Sequence, residues 1–126
     1  MVYAQPASSS KEKIEAVKIG FITERIDLTS NQAAVFWPLY NEFNLKKKEL
    51  KTKILTLPME SNLDNMTEEQ ILADVKQLQI YRQQETNLDK EYFDKFSKVI
   101  SIRQIAKLYK SEREFTKLLL KKLEEK

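Results

Sequence analysis

The chain has 126 residues, with 22 basic side chains against 19 acidic for a net charge of +3, and it contains neither histidine nor cysteine. Its length fits one domain with a modest core, and the missing residue types exclude disulfides, imidazole metal ligands and Ser-His or Cys-His nucleophiles. One glycine and three prolines among abundant Lys, Glu, Leu and Gln leave little material for tight turns or alternating strands, so the expected fold is all-α.

The amino terminus carries small residues, Val2 and Ala4, at the two positions a signal peptidase reads, followed by the Pro/Ser-rich QPASSS. Residues 1–9 therefore read as the remnant of a secretory signal or as an ordinary disordered leader, ahead of a single helical domain over 10–126. The longest apolar run, Ala33 to Tyr40, contains a proline and falls well short of the ~18 residues of a membrane span.

Four helices are expected in chain order. The first, about 10–27, repeats Ile14, Val17 and Phe21 at helical spacing, with Ile22 and Ile26 on an adjoining stripe. Gly20 lies inside it and offers a place for another helix to approach closely. The second, about 30–56, carries Phe36, Leu39, Phe43, Leu50 and Ile54 inward, and Pro38 predicts a kink or a restart. A linker, LPMESNLDN, follows. The third helix, about 67–98, is apolar at both ends and polar in the middle. The fourth, about 101–124, turns Ile105, Leu108, Tyr109, Phe115, Leu119 and Leu123 inward.

Two of these helices open on near-copies of one pentapeptide, LTSNQ at Leu28 to Gln32 and MTEEQ at Met66 to Gln70. Each is a capping box: the threonine hydroxyl accepts from the backbone N–H three residues on, and the glutamine reaches back to the threonine N–H. Ser101 and Gln104 make a looser third instance. Met66 with Ile71, and Ile100 with Ile105, stand at the positions of hydrophobic staples. The boxes start at unequal intervals, which marks helix punctuation rather than a tandem repeat.

Other residue groups support two readings each. Arg82, Glu85 and Asp89 in the third helix either form a solvated binding face or, if that helix folds back on the fourth, Glu85 and Asp89 meet Arg113 in a seam ion pair. The lysine run that includes Lys46, Lys47 and Lys51 is a solvated helix face or a surface for acidic clients, anionic lipid or nucleic acid. Trp37 and Tyr40 are core anchors or part of a partly exposed aromatic patch. Nucleic acid is not an expected partner, because the net charge is small and no aromatic–arginine platform is present. No gly-bearing loop or pocket signal suggests catalysis.

Two LTxxQ motifs in a small, cysteine-free helical chain with an export-like leader resemble the Spy/CpxP family of periplasmic stress proteins. Leu28, Thr29 and Gln32 match the first motif, and Met66, Thr67 and Gln70 match the second with Met in place of Leu. EAVKIGFITERIDLT, FWPLYNEF and KLYKSEREF look like a subgroup often labelled as sensors associated with ECF-type sigma factors. The resemblance implies four helices in a helical hairpin arrangement, commonly paired as a cradle-shaped homodimer. It also implies a periplasmic, ATP-independent, cofactor-free chaperone for unfolded or envelope proteins. The alternative is a regulatory protein that binds one envelope partner. Metal sensing, known among histidine-bearing relatives, is the least expected role for a chain without histidine.

Overall fold

A computed structural model of the protein describes residues 10–125, and the leader expected over 1–9 lies outside the described residues. The helices are α1 (Ser10–Ile26), α2 (Ser30–Leu55), a short α3 (Met59–Asn62) that runs into a 3-10 turn (Leu63–Asn65), α4 (Glu68–Ser97) and α5 (Ile102–Glu124). No strand occurs among the described residues. The protein is all-α, and its four long helices match the expected ones to within two residues. The stretch expected as linker is itself folded into α3 and its turn.

The described residues gather into two compact units, each built from segments far apart in the chain. In the first, α1 and α5 run antiparallel. Phe21 meets Phe115 with ring centroids 5.6 Å apart, and the other end of α1 meets Gln104 near the start of α5. Ile22, Ile26, Ile100, Ile105 and Leu108 are buried here. The core stripe of α1 is therefore the Ile22–Ile26 one, and Val17, expected inward, is 61% exposed. Tyr109 and Leu123 of α5 are likewise exposed rather than inward. Gly20 is exposed, and a Cβ added there would meet nothing within 4 Å, so no helix approaches it closely.

The second unit runs from Ala34 to Val99 and is centred on an aromatic stack between antiparallel α2 and α4. Phe36 lies 5.3 Å from Phe96 and Phe43 lies 4.9 Å from Tyr92, while Tyr40 stacks on Phe36 at 5.5 Å. Each such ring contributes on the order of 1.5–3 kcal/mol by burial, with further gain from ring–ring geometry. α2 passes through Pro38 as one uninterrupted helix. The ring removes the donor that the Ala34 carbonyl would use, and Ala34 is exposed, so water can serve that oxygen instead. At the far end of the unit Leu57 is buried, and the Met59 N–H donates to Asp74 Oδ2 at 2.8 Å, which fastens α3 to α4.

Candidate functional site

All three capping boxes are closed. Gln32 N–H donates to Thr29 Oγ1 at 3.1 Å and Thr29 N–H to Gln32 Oε1 at 3.0 Å. The Thr67–Gln70 and Ser101–Gln104 boxes have the same reciprocal bonds at 2.9–3.2 Å. Leu28 and Met66, the first residues of the two motifs, are half-buried, as is Ile71 at the staple position.

The first and third boxes do more than cap. The carboxamides of Gln32 and Gln104 face each other and exchange two hydrogen bonds, each 3.0 Å. Gln104 Nε2 also reaches the carbonyls of Ile26 at 3.2 Å and Asp27 at 3.1 Å. Those carbonyls belong to the end of α1, where helical partners run out, and Asp27 turns the chain with φ of 50°, a conformation Asp tolerates better than most residues. One amide therefore serves the start of α5, the end of α1 and the box of α2. Thr67 and Gln70, by contrast, are exposed and only cap α4.

At the other end of the α1–α5 pair, past the Phe21–Phe115 contact, the facing surfaces form an open groove. Lys13, Ile14 and Val17 make one wall, Phe115, Leu118, Leu119 and Lys122 the other, enclosing about 200 Å³. Every apolar member recurs at three- or four-residue spacing, so each helix presents one continuous face. Val17 is 61% and Leu118 is 42% exposed, which leaves apolar surface without a covering residue. Lys13 and Lys122 bracket it, one from each helix. The groove can take apolar side chains while the lysines attract acidic flanking residues.

Two of the expected lysines cover the aromatic core of the second unit. Lys46 Nζ lies 3.7 Å from the Glu42 carboxylate and 5.4 Å from the Tyr92 ring centre, and Lys47 Nζ lies 4.9 Å from the Phe43 ring centre. Their stems sit over apolar surface and their heads over ring faces. Lys51 is exposed. Tyr92, fully buried, donates its hydroxyl to the half-exposed Glu42, and Lys95 stands 3.9 Å from the same carboxylate and 3.1 Å from Glu91. The Tyr92 hydrogen bond, with Lys46 and Lys95 nearby, holds the Glu42 carboxyl below the ordinary carboxylate range against the opposing effect of burial. Lys46 is held above the usual lysine value, first by Tyr92 and then by the acidic neighbours, and Lys95 is raised chiefly by Glu91.

Tyr40 is fully buried and so is a core residue, not a client contact; Trp37 is half-buried, edge-on to Phe36 and Tyr40. Arg82 and Asp89 are exposed on α4 and Glu85 is half-buried there; Arg113 is exposed on α5. Arg113 belongs to the first unit, where α5 packs on α1, and Glu85 and Asp89 belong to the second, where α4 packs on α2. The groove and the Glu42–Tyr92 bond were not foreseen. Periodicity assigned Phe115 and Leu119 to a core, and a buried tyrosine's need for an acceptor was the available sign of the second.

Among the described residues no group of three or more Asp or Glu is placed to hold a metal ion, and no helix is long and apolar enough to cross a membrane. No protein-family model, no curated protein and no solved structure matches this chain.

Proposed function

We propose that the chain is a non-catalytic holding protein of the Spy/CpxP type, acting in the periplasm without a nucleotide cycle. The observation that carries this reading is the apolar groove between α1 and α5, open to solvent and bracketed by Lys13 and Lys122. Further exposed apolar side chains along α4, Leu72, Val75 and Ile80, add surface of the same kind. Unfolding proteins expose short apolar segments next to charge, and a shallow groove of this sort holds them loosely. The paired LTxxQ boxes supply the family side of the proposal.

The test is suppression of aggregation. The purified protein, without ATP, is mixed with two unrelated unfolding proteins and light scattering is followed at low and at moderate salt, beside an inert helical protein of similar charge. Suppression of both clients near stoichiometric amounts is expected, persisting at moderate salt because apolar contact is not screened. The Val17→Glu, Leu118→Glu double variant, altered only at exposed positions, is expected to lose most of it. If neither client is protected the proposal fails, and a dedicated regulatory partner of one envelope protein takes its place.

A further inference from the structure

A second hollow, distinct from the apolar groove, lies between α1 and α5. It encloses about 180 Å³ and is lined by Arg25, Lys107, Lys110, Ser111 and Glu114. That is below the roughly 300 Å³ at which drug-sized ligand sites begin, so it fits a small ion or a single headgroup. Lys107, Ser111 and Glu114 fall on one face of α5 at four- and three-residue spacing, and Arg25 comes from α1.

Ser111 sets this hollow apart from an ordinary charged surface. It is only 2% exposed, the one buried polar residue among those described, yet its hydroxyl makes no hydrogen bond to another described residue. Among the described residues no fully buried side-chain polar atom is left without a partner, so the hydroxyl keeps its contact with the hollow that it lines. A hydroxyl in a helix ordinarily bonds back to a carbonyl one turn earlier, as Thr23 does to Ile19 and Thr116 does to Glu112. Ser111 does not.

The cations around it are placed to serve a ligand as well. The Arg25 guanidinium lies over the Phe21 ring, 3.5 Å from its centre, and spends Nη1 on the Phe21 carbonyl at 3.0 Å, with the Glu24 carboxylate 3.7 Å from the same nitrogen. Its Nε stands 3.9 Å from Glu114, too far for a hydrogen bond, so other guanidinium donors remain available. Within the lining three cations stand against one carboxylate, with the exposed Glu24 outside it, and this balance favours an anion. The carboxylate then selects which anion, because Glu114 repels an oxygen without a proton and accepts a hydrogen bond from one that carries a proton.

We propose that Arg25, Lys107, Lys110 and Ser111 form a seat for a phosphate group that retains a P–OH, with Glu114 accepting that hydrogen bond. Inorganic phosphate keeps such a proton at neutral pH, and sulfate and carboxylates do not. The same group is offered by free phosphate and by the monoester headgroup of phosphatidic acid.

The experiment is an NMR titration of the whole chain with inorganic phosphate and, separately, with sulfate at equal ionic strength. Saturable shifts are expected for phosphate at the amides of Lys107 to Glu114 and at Arg25 Nε, with sulfate at least ten-fold weaker. Ser111→Ala is expected to weaken phosphate at least ten-fold while leaving the melting temperature unchanged or higher, since it removes a hydroxyl without a partner. Glu114→Gln is expected to abolish the preference over sulfate. No saturable shift with phosphate, equal binding of sulfate by the unaltered protein, or undiminished binding by Ser111→Ala would each overturn the proposal. Sedimentation with phosphatidylcholine vesicles containing phosphatidic acid separates the sources: binding lost in Ser111→Ala assigns the headgroup, and no sedimentation alongside intact soluble binding assigns free phosphate.

Discussion

Gln104 shows how much one side chain can carry. Its Oε1 accepts from the Ser101 and Gln32 amides, and its Nε2 serves the last carbonyls of α1 and the Gln32 carboxamide. Gln104→Glu keeps the acceptor that caps α5 but puts a carboxylate against carbonyl oxygens. The expected loss in chemical denaturation is about 1–3 kcal/mol, the range for leaving buried hydrogen-bonding groups without partners. Gln70→Ala, which only opens a box, is expected to cost less, and equal losses would refute the tertiary role of Gln104. Tyr92 provides a pH-dependent counterpart. Because Glu42 is held below its ordinary value by the Tyr92 hydroxyl, its contribution is complete above the unfolded-state carboxylate value and is lost as pH falls through the lowered one. Thermal midpoints of Tyr92→Phe and the unaltered protein are therefore expected to differ at neutral pH and to converge on acidification below the carboxylate range. A difference that stays constant with pH would detach Tyr92 from Glu42. On the alkaline side, Lys46 and Lys95 hold their protons above the usual lysine value, so their contribution fades only beyond it.

At the scale of the element, the helix starts were the most legible feature of the sequence, because capping is local chemistry within four residues. Thr67 and Ser101 cap α4 and α5 as their boxes require. What the sequence hid was the partner of each cap. Gln32 and Gln70 occupy the same motif position, yet one bonds across to another helix and the other faces solvent. Thr29→Ala and Thr67→Ala are each expected to cost about 0.5–2 kcal/mol, Thr29 more, because its box also orients Gln32 toward Gln104. Gly20 was misread for a similar reason: a helical glycine suits close packing, but only tertiary structure shows whether a neighbour arrives. With open space around it, Gly20→Ala is expected to stabilise the protein by about 0.5–1 kcal/mol. A loss on alanine would mean that something packs there after all.

At the scale of the molecule, the periodic pattern named the buried residues at Phe36, Phe43, Ile22, Ile26, Ile105 and Leu108 and misnamed them at Val17, Tyr109 and Leu123. Phe36 and Phe43 meet Phe96 and Tyr92 across the α2–α4 pair, whereas Val17 and Leu123 stay exposed on α1 and α5. Which helix pairs with which could not be read from amphipathic stripes, since every stripe is compatible with several partners, and both proposed ligand sites depend on the α1–α5 pairing. α2 gives its first residues to one unit and the rest to the other without interruption, so helix cooperativity ties their unfolding together. Trp37 fluorescence, reporting the aromatic unit, and far-UV circular dichroism, reporting every helix, are thus expected to give coincident denaturation curves. Gln104 and Tyr92 share no hydrogen-bond partner, so Gln104→Ala combined with Tyr92→Phe is expected to be additive to within ~0.3–0.5 kcal/mol. A Trp37 transition that ignores Gln104→Ala while the dichroism curve shifts would show that α2 does not couple the two units.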